Sequence, residues 1–362
     1  MYSIDTTAMC EHCYRHIPAR RFEDSGQIWI EKTCPEHGYT KYLVEPDADF
    51  YHSLVYEPEF YTSKGYGVDI TERCNLTCPH CYQLPDNTVV DKNIDFIINE
   101  LLESVPNDGV TWALAGAEPT MRKDLPELIR AMKDLEKDPI YLPREIRLIT
   151  NGVLLERKDL VHKLIDSGLD YVTLSLNHPT YQGLLTNKRQ REGIKNCISE
   201  GLKLGAIAHT LGHLGLLEDV LQIIQDLGNT AEEYRVRGGA DIGRTNPLEP
   251  KKYLGDMVKE VKRICDKKGW DLEFYRADNN VYHIMARING LEHRFVQWAD
   301  ATNFDLDQAN HGPWCKFSEI PHVSNMMHQW ILRDGLVNKK LPALDQIPDR
   351  YRRLWQWEHG QQ

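Results

Sequence analysis

The sequence predicts an α/β protein: a partial (β/α)6 barrel with a small N-terminal metal-binding β module and a C-terminal α+β cap. Three observations predict it. Between residues 66 and 245, six short apolar runs alternate with amphipathic helical stretches. The first 50 residues hold cysteines at metal-ligand spacing. After about residue 245 the alternation stops, and Asn289-Gly290 sits between two strand-like runs.

Residues 1–50 read as one unit, with a hairpin through Gln27, Ile28, Trp29 and Ile30. Cys10 and Cys13 lie on one side of it, Cys34 and His37 on the other. Two ligand pairs on two tight turns suit a tetrahedral site, for zinc first or a single iron second. The plain alternative is free cysteines in a small β unit. A unit this small has little core, so a bound metal helps it fold.

Residues 51–65 read as a connector. The barrel strands are expected at 67–71, 110–115, 146–150, 171–176, 206–211 and 233–236. Helices are expected at 93–102, 124–135, 160–167, 192–204 and 217–227. A parallel sheet so built gathers its chemistry at the strand C-terminal ends. In the cap, residues 246–362, a helix at 252–268 precedes a hairpin of 281–288 and 291–298. Residues 299–362 lack clear periodicity.

Directly after the first barrel strand comes Cys74, Cys78 and Cys81, a C-x3-C-x2-C loop. Three thiolates on one loop can hold three irons of a four-iron, four-sulfur (4Fe-4S) cluster and leave the fourth iron open to a cofactor or substrate. A structural zinc site wants four ligands; here only His80 is near, and it sits between two of the cysteines.

This loop resembles the signature of the radical SAM superfamily, over roughly residues 66–245. The resemblance implies that S-adenosylmethionine (SAM) binds the open iron and is reductively cleaved to a 5′-deoxyadenosyl radical, which takes hydrogen from an unactivated carbon. It further implies cofactor contacts from His80, which stands where the family usually has an aromatic residue, and from its neighbour Tyr82. Gly116-Ala117-Glu118-Pro119 resembles the motif that contacts the SAM amino group, with Ala117 in place of the usual second glycine. The plain alternative for Glu118 is a salt bridge to a nearby lysine or arginine. Asn151, Ser175 and Asn177 fall where the family touches the ribose or the methionine carboxylate. Arg235 or Arg237 could pair with that carboxylate; alternation puts both on one face, so the sequence does not choose. A reducing partner such as ferredoxin or flavodoxin is implied as well.

The N-terminal cysteine pattern resembles the zinc-ribbon or rubredoxin-like module of the group around the tetraether lipid synthase and pterin-methylating proteins. Those relatives carry further cysteine clusters toward the C-terminus. Here only Cys197, Cys265 and Cys315 remain, too dispersed for a second cluster, which argues against lipid coupling by that chemistry. Cys197 and Cys265 lie on helices and read as packed thiols. Cys315 lies in a Gly-Pro-containing loop and is a candidate catalytic hydrogen donor, as in some radical SAM epimerases. His209, His213, His322, His328, Tyr275, Tyr282, Trp298 and Trp314 read first as structural residues.

The formal net charge of −11 disfavours nucleic-acid binding, and Arg144, Lys188, Arg189 and Arg191 read as solvated charge. No apolar run is long enough to span a bilayer, and residues 1–9 lack a signal-peptide pattern, so a cytoplasmic location is expected. A small polar metabolite is the first substrate expectation and a peptide the second. The reading from another class is a non-catalytic zinc-binding interaction protein.

Overall fold

The computed structural model describes residues 2–10, 16–54, 65–78, 81, 85–104, 111–135, 145–176, 187–238, 253–275 and 283–297. Where the sequence shows one hairpin near the N-terminus, the chain forms a four-stranded antiparallel sheet: β1 (Ser3–Met9), β2 (His16–Asp24), β3 (Gln27–Cys34) and β4 (Gly38–Glu45), in that order. Ser25 and Gly26 both take positive φ (54° and 74°), the geometry that matches a two-residue turn to strand twist. On β3, Ile28 and Ile30 are fully buried and Cys34 nearly so. A short helix α1 (Ala48–Ser53) follows, capped by Asp47, whose carboxylate accepts from Phe50 N at 2.9 Å.

The larger unit runs β5 (Gly65–Asp69), α2 (Ile94–Ser104), β6 (Thr111–Ala115), α3 (Leu125–Leu135), β7 (Glu145–Thr150), α4 (Lys158–Asp166), β8 (Tyr171–Ser175), α5 (Lys188–Glu200), β9 (Leu204–Leu211), α6 (Leu217–Leu227) and β10 (Glu233–Gly238). The six strands are parallel and lie side by side in sequence order. The helix expected at 192–204 starts and ends four residues earlier. Asn187 caps its start through Gln190 N, and Gly201 ends it at φ 81°, which frees Leu204 to open β9.

The sheet does not stop at β10. After α7 (Leu254–Lys268) come β11 (Leu272–Tyr275), β12 (His283–Ile288) and β13 (Leu291–Val296). The expected Asn289-Gly290 hairpin joins β12 to β13, and β13 pairs parallel with β10. The nine-stranded sheet thus runs from β5 to β11. The boundary expected at 245 falls in a connection, 239–252, outside the described residues.

Alternation divides the barrel strands into two faces. Trp112, Leu114, Ile146, Leu148, Val172, Leu174, Ile207, Val236 and Phe295 are buried under the helices against Ile129, Val161, Leu221 and Ile264. Each such side chain contributes roughly 2 kcal/mol. The opposite face is half-buried and mixes Ala113, Ile149, Ser175 and Thr210 with Arg147, Arg235 and Arg237.

The N-terminal sheet docks on this unit at the start of α7. Glu45 is buried and accepts from Gly255 N at 3.1 Å. A Cβ at Gly255 would lie 2.1 Å from Glu45 Oε1, so a larger residue there would push the carboxylate out of this position. Asp47 pairs with Lys259 at 3.0 Å, and Gln297 Oε1 accepts from Leu254 N at 2.8 Å. Among the described residues, no helix is long and apolar enough to cross a membrane.

Candidate active site

The loop after β5 is held against the loop after β6. Ile70 N donates to Ala115 O (3.0 Å), Ala117 N to Thr71 O (2.9 Å) and Glu118 N to Arg73 O (2.9 Å). Gly116 makes this approach possible. It takes φ 122°, and a Cβ there would stand 2.4 Å from Thr71 O. Thr71 Oγ1 donates to Asp91 at 2.6 Å, and Arg73 pairs with Asp91 and donates to Met121 O at 3.1 Å. The buried Arg122 guanidinium reaches Ile70 O at 2.9 Å while pairing with Asp124 at 2.7 Å.

Out of this frame rises the loop with Cys74, Cys78 and Cys81, each half-exposed. Cys74 N donates to Asn87 Oδ1 at 3.0 Å, and Asn87 Nδ2 donates back to Cys74 O at 3.1 Å. Cys81 N donates to Cys78 O at 3.3 Å. Burial pushes the Cys74 thiol up to about 11, with the Glu118 carboxylate and the other two thiols adding to it. Asp91, Asn87 and Arg122 carry no motif or periodic signal, and only the folded chain brings them to the cysteines.

Glu118 is buried, and burial raises its pKa. Its Oε1 accepts from Thr120 N (3.1 Å), Thr120 Oγ1 (2.5 Å) and Thr150 Oγ1 (2.5 Å), and its Oε2 from Asn151 N at 2.7 Å. Among the described residues no lysine or arginine pairs with it, so the salt-bridge alternative gives way to a hydrogen-bonded brace between the β6 and β7 ends. Pro119 is buried at the start of the one-turn helix that Glu118 caps. Asn151 Nδ2 donates to Asn75 Oδ1 at 2.8 Å and lies 4.0 Å from Cys74 Sγ.

Ser175 ends β8 on the half-buried face. The two arginines on β10 differ in their surroundings. Arg235 is paired with Glu233, whose other oxygen takes Arg294 at 3.0 Å. Arg237 stands two residues nearer the strand C-terminal end and donates to Thr210 Oγ1 at 3.1 Å. His209 belongs to the helix-side core: it is 1% exposed, burial lowers its pKa to about 4, and it pairs in register with Val236. Its position near a strand end is therefore structural. Cys197 and Cys265 are buried thiols, pushed up to about 12 and 11 by burial. His80, Tyr82, Asn177 and Cys315 lie outside the described residues.

In the N-terminal sheet, Cys10, Cys34 and His37 converge with ligand atoms all within 4.8 Å of one another. His37 Nδ1 is 3.4 Å from Cys34 Sγ and 3.7 Å from Cys10 Sγ. Ligands about 2.3 Å from a tetrahedral zinc stand about 3.8 Å apart, so the donor set fits that ion. Burial opposes ionisation of Cys34, but hydrogen bonds from His37 and Glu36 outweigh it and bring the thiol down to about 6. Cys13 lies outside the described residues. Among the described residues only this trio converges so tightly.

A family model described as the radical SAM superfamily matches residues 68–227, and one described as the HMPTM N-terminal zinc ribbon domain matches residues 2–46. The 7,8-dihydro-6-hydroxymethylpterin dimethyltransferase of Methanocaldococcus jannaschii is 28% identical over 312 residues, covering 75% of this chain and 60% of that relative. The "Probable GTP 3',8-cyclase" of Methanococcus aeolicus is 30% identical over 254 residues, covering 67% of this chain and 79% of that relative. The structure of Streptococcus suis SuiB bound to S-adenosylmethionine aligns with a TM-score of 0.44 at 19% identity, over 56% of this chain and 48% of that one. The chain thus spans about three-fifths of the length of the pterin dimethyltransferase.

Proposed function

This chain belongs to the radical SAM superfamily, with an N-terminal zinc ribbon, and on that premise we propose that it abstracts hydrogen from a small polar metabolite built on a guanine-like bicyclic ring. The observation that carries the catalytic half is the loop of Cys74, Cys78 and Cys81, half-exposed at the strand C-terminal end and braced by Asn87 and the backbone after β6. When bound, a 4Fe-4S cluster with SAM supplies reductive cleavage to methionine and a 5′-deoxyadenosyl radical.

The protein's share is position. Gly116 keeps the backbone at 115–118 tight against the cysteine loop, the stretch assigned to the SAM amino group. Arg235 or Arg237 is assigned to the methionine carboxylate; Arg235 is paired with Glu233, and Arg237 stands two residues nearer the strand C-terminal end. Ser175 and Asn177 are assigned to the ribose side, and His80 and Tyr82 to the adenine side. Cys10, Cys13, Cys34 and His37 hold zinc. A ferredoxin or flavodoxin supplies the electron.

The substrate class rests on two relatives. One is named for a pterin and the other for GTP, and both molecules contain a fused ring with a 2-amino-4-oxopyrimidine half. The half-buried strand face carries Arg147, Arg235 and Arg237, side chains of the kind that such a ring's oxygen and nitrogen atoms pair with. The test is 5′-deoxyadenosine formation by the reduced holoprotein with a dihydropterin, GTP or a short peptide, each deuterated at carbon. The reading expects stimulation and deuterium transfer with a bicyclic compound. Transfer from the peptide alone would overturn it.

A further inference from the structure

Asn151 has a second task besides ending β7. Its side-chain Oδ1 accepts from Val153 N at 2.9 Å, which fixes the amide's orientation. Its Nδ2 therefore faces the cysteine loop, 2.8 Å from Asn75 Oδ1 and 4.0 Å from Cys74 Sγ. The backbone holds this pose independently: Asn151 N donates to the buried Glu118 at 2.7 Å, and Asn151 O accepts from Gln190 Nε2 at 2.6 Å. A second N–H, from Leu76, reaches Cys74 Sγ at 3.3 Å.

From this geometry we infer that Asn151 is a positioning residue that sets the reduction potential of the cluster through Cys74, resting on the assignment of Cys74 as a cluster ligand. Hydrogen bonds to a cluster's sulfur ligands draw charge from them and favour the reduced, more negative state. The amide carries two N–H groups. One is anchored on Asn75, and the other is aimed at the sulfur that also receives Leu76 N–H. Cysteine loop and third-strand end are thereby joined by a donor whose chemical effect is on the one-electron step.

The test is an electron-paramagnetic-resonance redox titration of the anaerobically reconstituted full chain, with iron and sulfide counted in the same samples. Asn151→Ser is neutral and keeps an oxygen to accept from Val153 N, but removes both amide donors. Asn151→Asp keeps the shape and the acceptor and also lacks the donors. Both are expected to bind iron as the wild type does. Each should shift the reduction equilibrium about tenfold toward the oxidised cluster, about 59 mV lower for one electron. Unchanged potentials at full iron load would overturn the inference. So would loss of the cluster in both variants, which would make the amide a structural strut. A wild-type chain that takes up no cluster would instead sink the assignment of Cys74 beneath it.

Discussion

Asn87 grips Cys74 at both of its backbone groups, accepting from Cys74 N at 3.0 Å and donating to Cys74 O at 3.1 Å. An asparagine side chain can act in this way as a short strand partner for a residue that has left the sheet. The clamp sets the direction in which the first thiol leaves the loop.

Asn87→Ala therefore should harm cluster retention more than folding. Asn87 is exposed, and two such hydrogen bonds contribute about 1 kcal/mol each at most. Iron per chain after reconstitution and desalting should fall clearly, with little change in Tm. Full iron retention would show that the loop positions Cys74 without the clamp.

Gly116→Ala should be among the more damaging single-methyl changes in the larger unit. The new Cβ would meet backbone, Thr71 O at 2.4 Å, and the φ of 122° is itself costly for alanine. A loss of more than about 2 kcal/mol is expected. Gly269→Ala is the control. It ends α7 in the left-handed helical region (φ 65°, ψ 35°) with nothing within 4 Å, so it should cost only about 1 kcal/mol. Equal denaturation midpoints for the two variants would contradict the close-approach account.

Much of this was legible in the sequence and some was not. The cysteine loop and the six strands followed from spacing and apolar runs, because local signals carry them. The edge joined by the hairpin at Asn289-Gly290 did not: pairing of β13 with β10 is set by packing, not by the turn. His209 could have been placed by parity, since Ile207 and Leu211 on the same strand are buried on its face. The early end of α5 was signalled by Gly201 and its start by Asn187, both usable caps. Asn87, Asp91 and Asn151 act across long separations, and no periodicity marks such contacts.

The N-terminal sheet should carry about one zinc per chain. Cys34→Ser, or treatment with a strong chelator, should release that metal. It should also open residues 2–46 to proteolysis, while the larger unit, which holds most of the buried core, stays resistant. Unaltered protection after metal release would mean that the sheet holds by packing alone.

Stability should depend on pH in two opposed ways. Burial raises Glu45 to about 7 against its usual 4.5, with Asp256 and Asp47 adding to the effect against backbone donors from Gly255 and Asp47. A raised carboxylate binds more protons in the folded state, so its stabilising contribution is full below about pH 4.5 and is lost as pH rises through 7. His209 and His293 are each lowered by burial to about 4 from 6.5; their contribution is full above 6.5 and is lost as pH falls through 4. Glu45→Gln isolates the first effect. The variant should gain on the wild type by up to about 3 kcal/mol between pH 4.5 and 7 in urea melts, through a flatter slope. Parallel stability curves would contradict a protonated Glu45 at the helix N-terminus.

In the proposed function, Cys74, Cys78 and Cys81 together carry the cluster that cleaves SAM. The most direct measurement is 5′-deoxyadenosine released per chain after anaerobic reconstitution and reduction, with iron counted alongside. The wild type should hold about four irons at this loop and release 5′-deoxyadenosine. The variant with all three cysteines changed to alanine should do neither, while keeping its N-terminal metal. SAM cleavage that survives in the triple variant would contradict the claim.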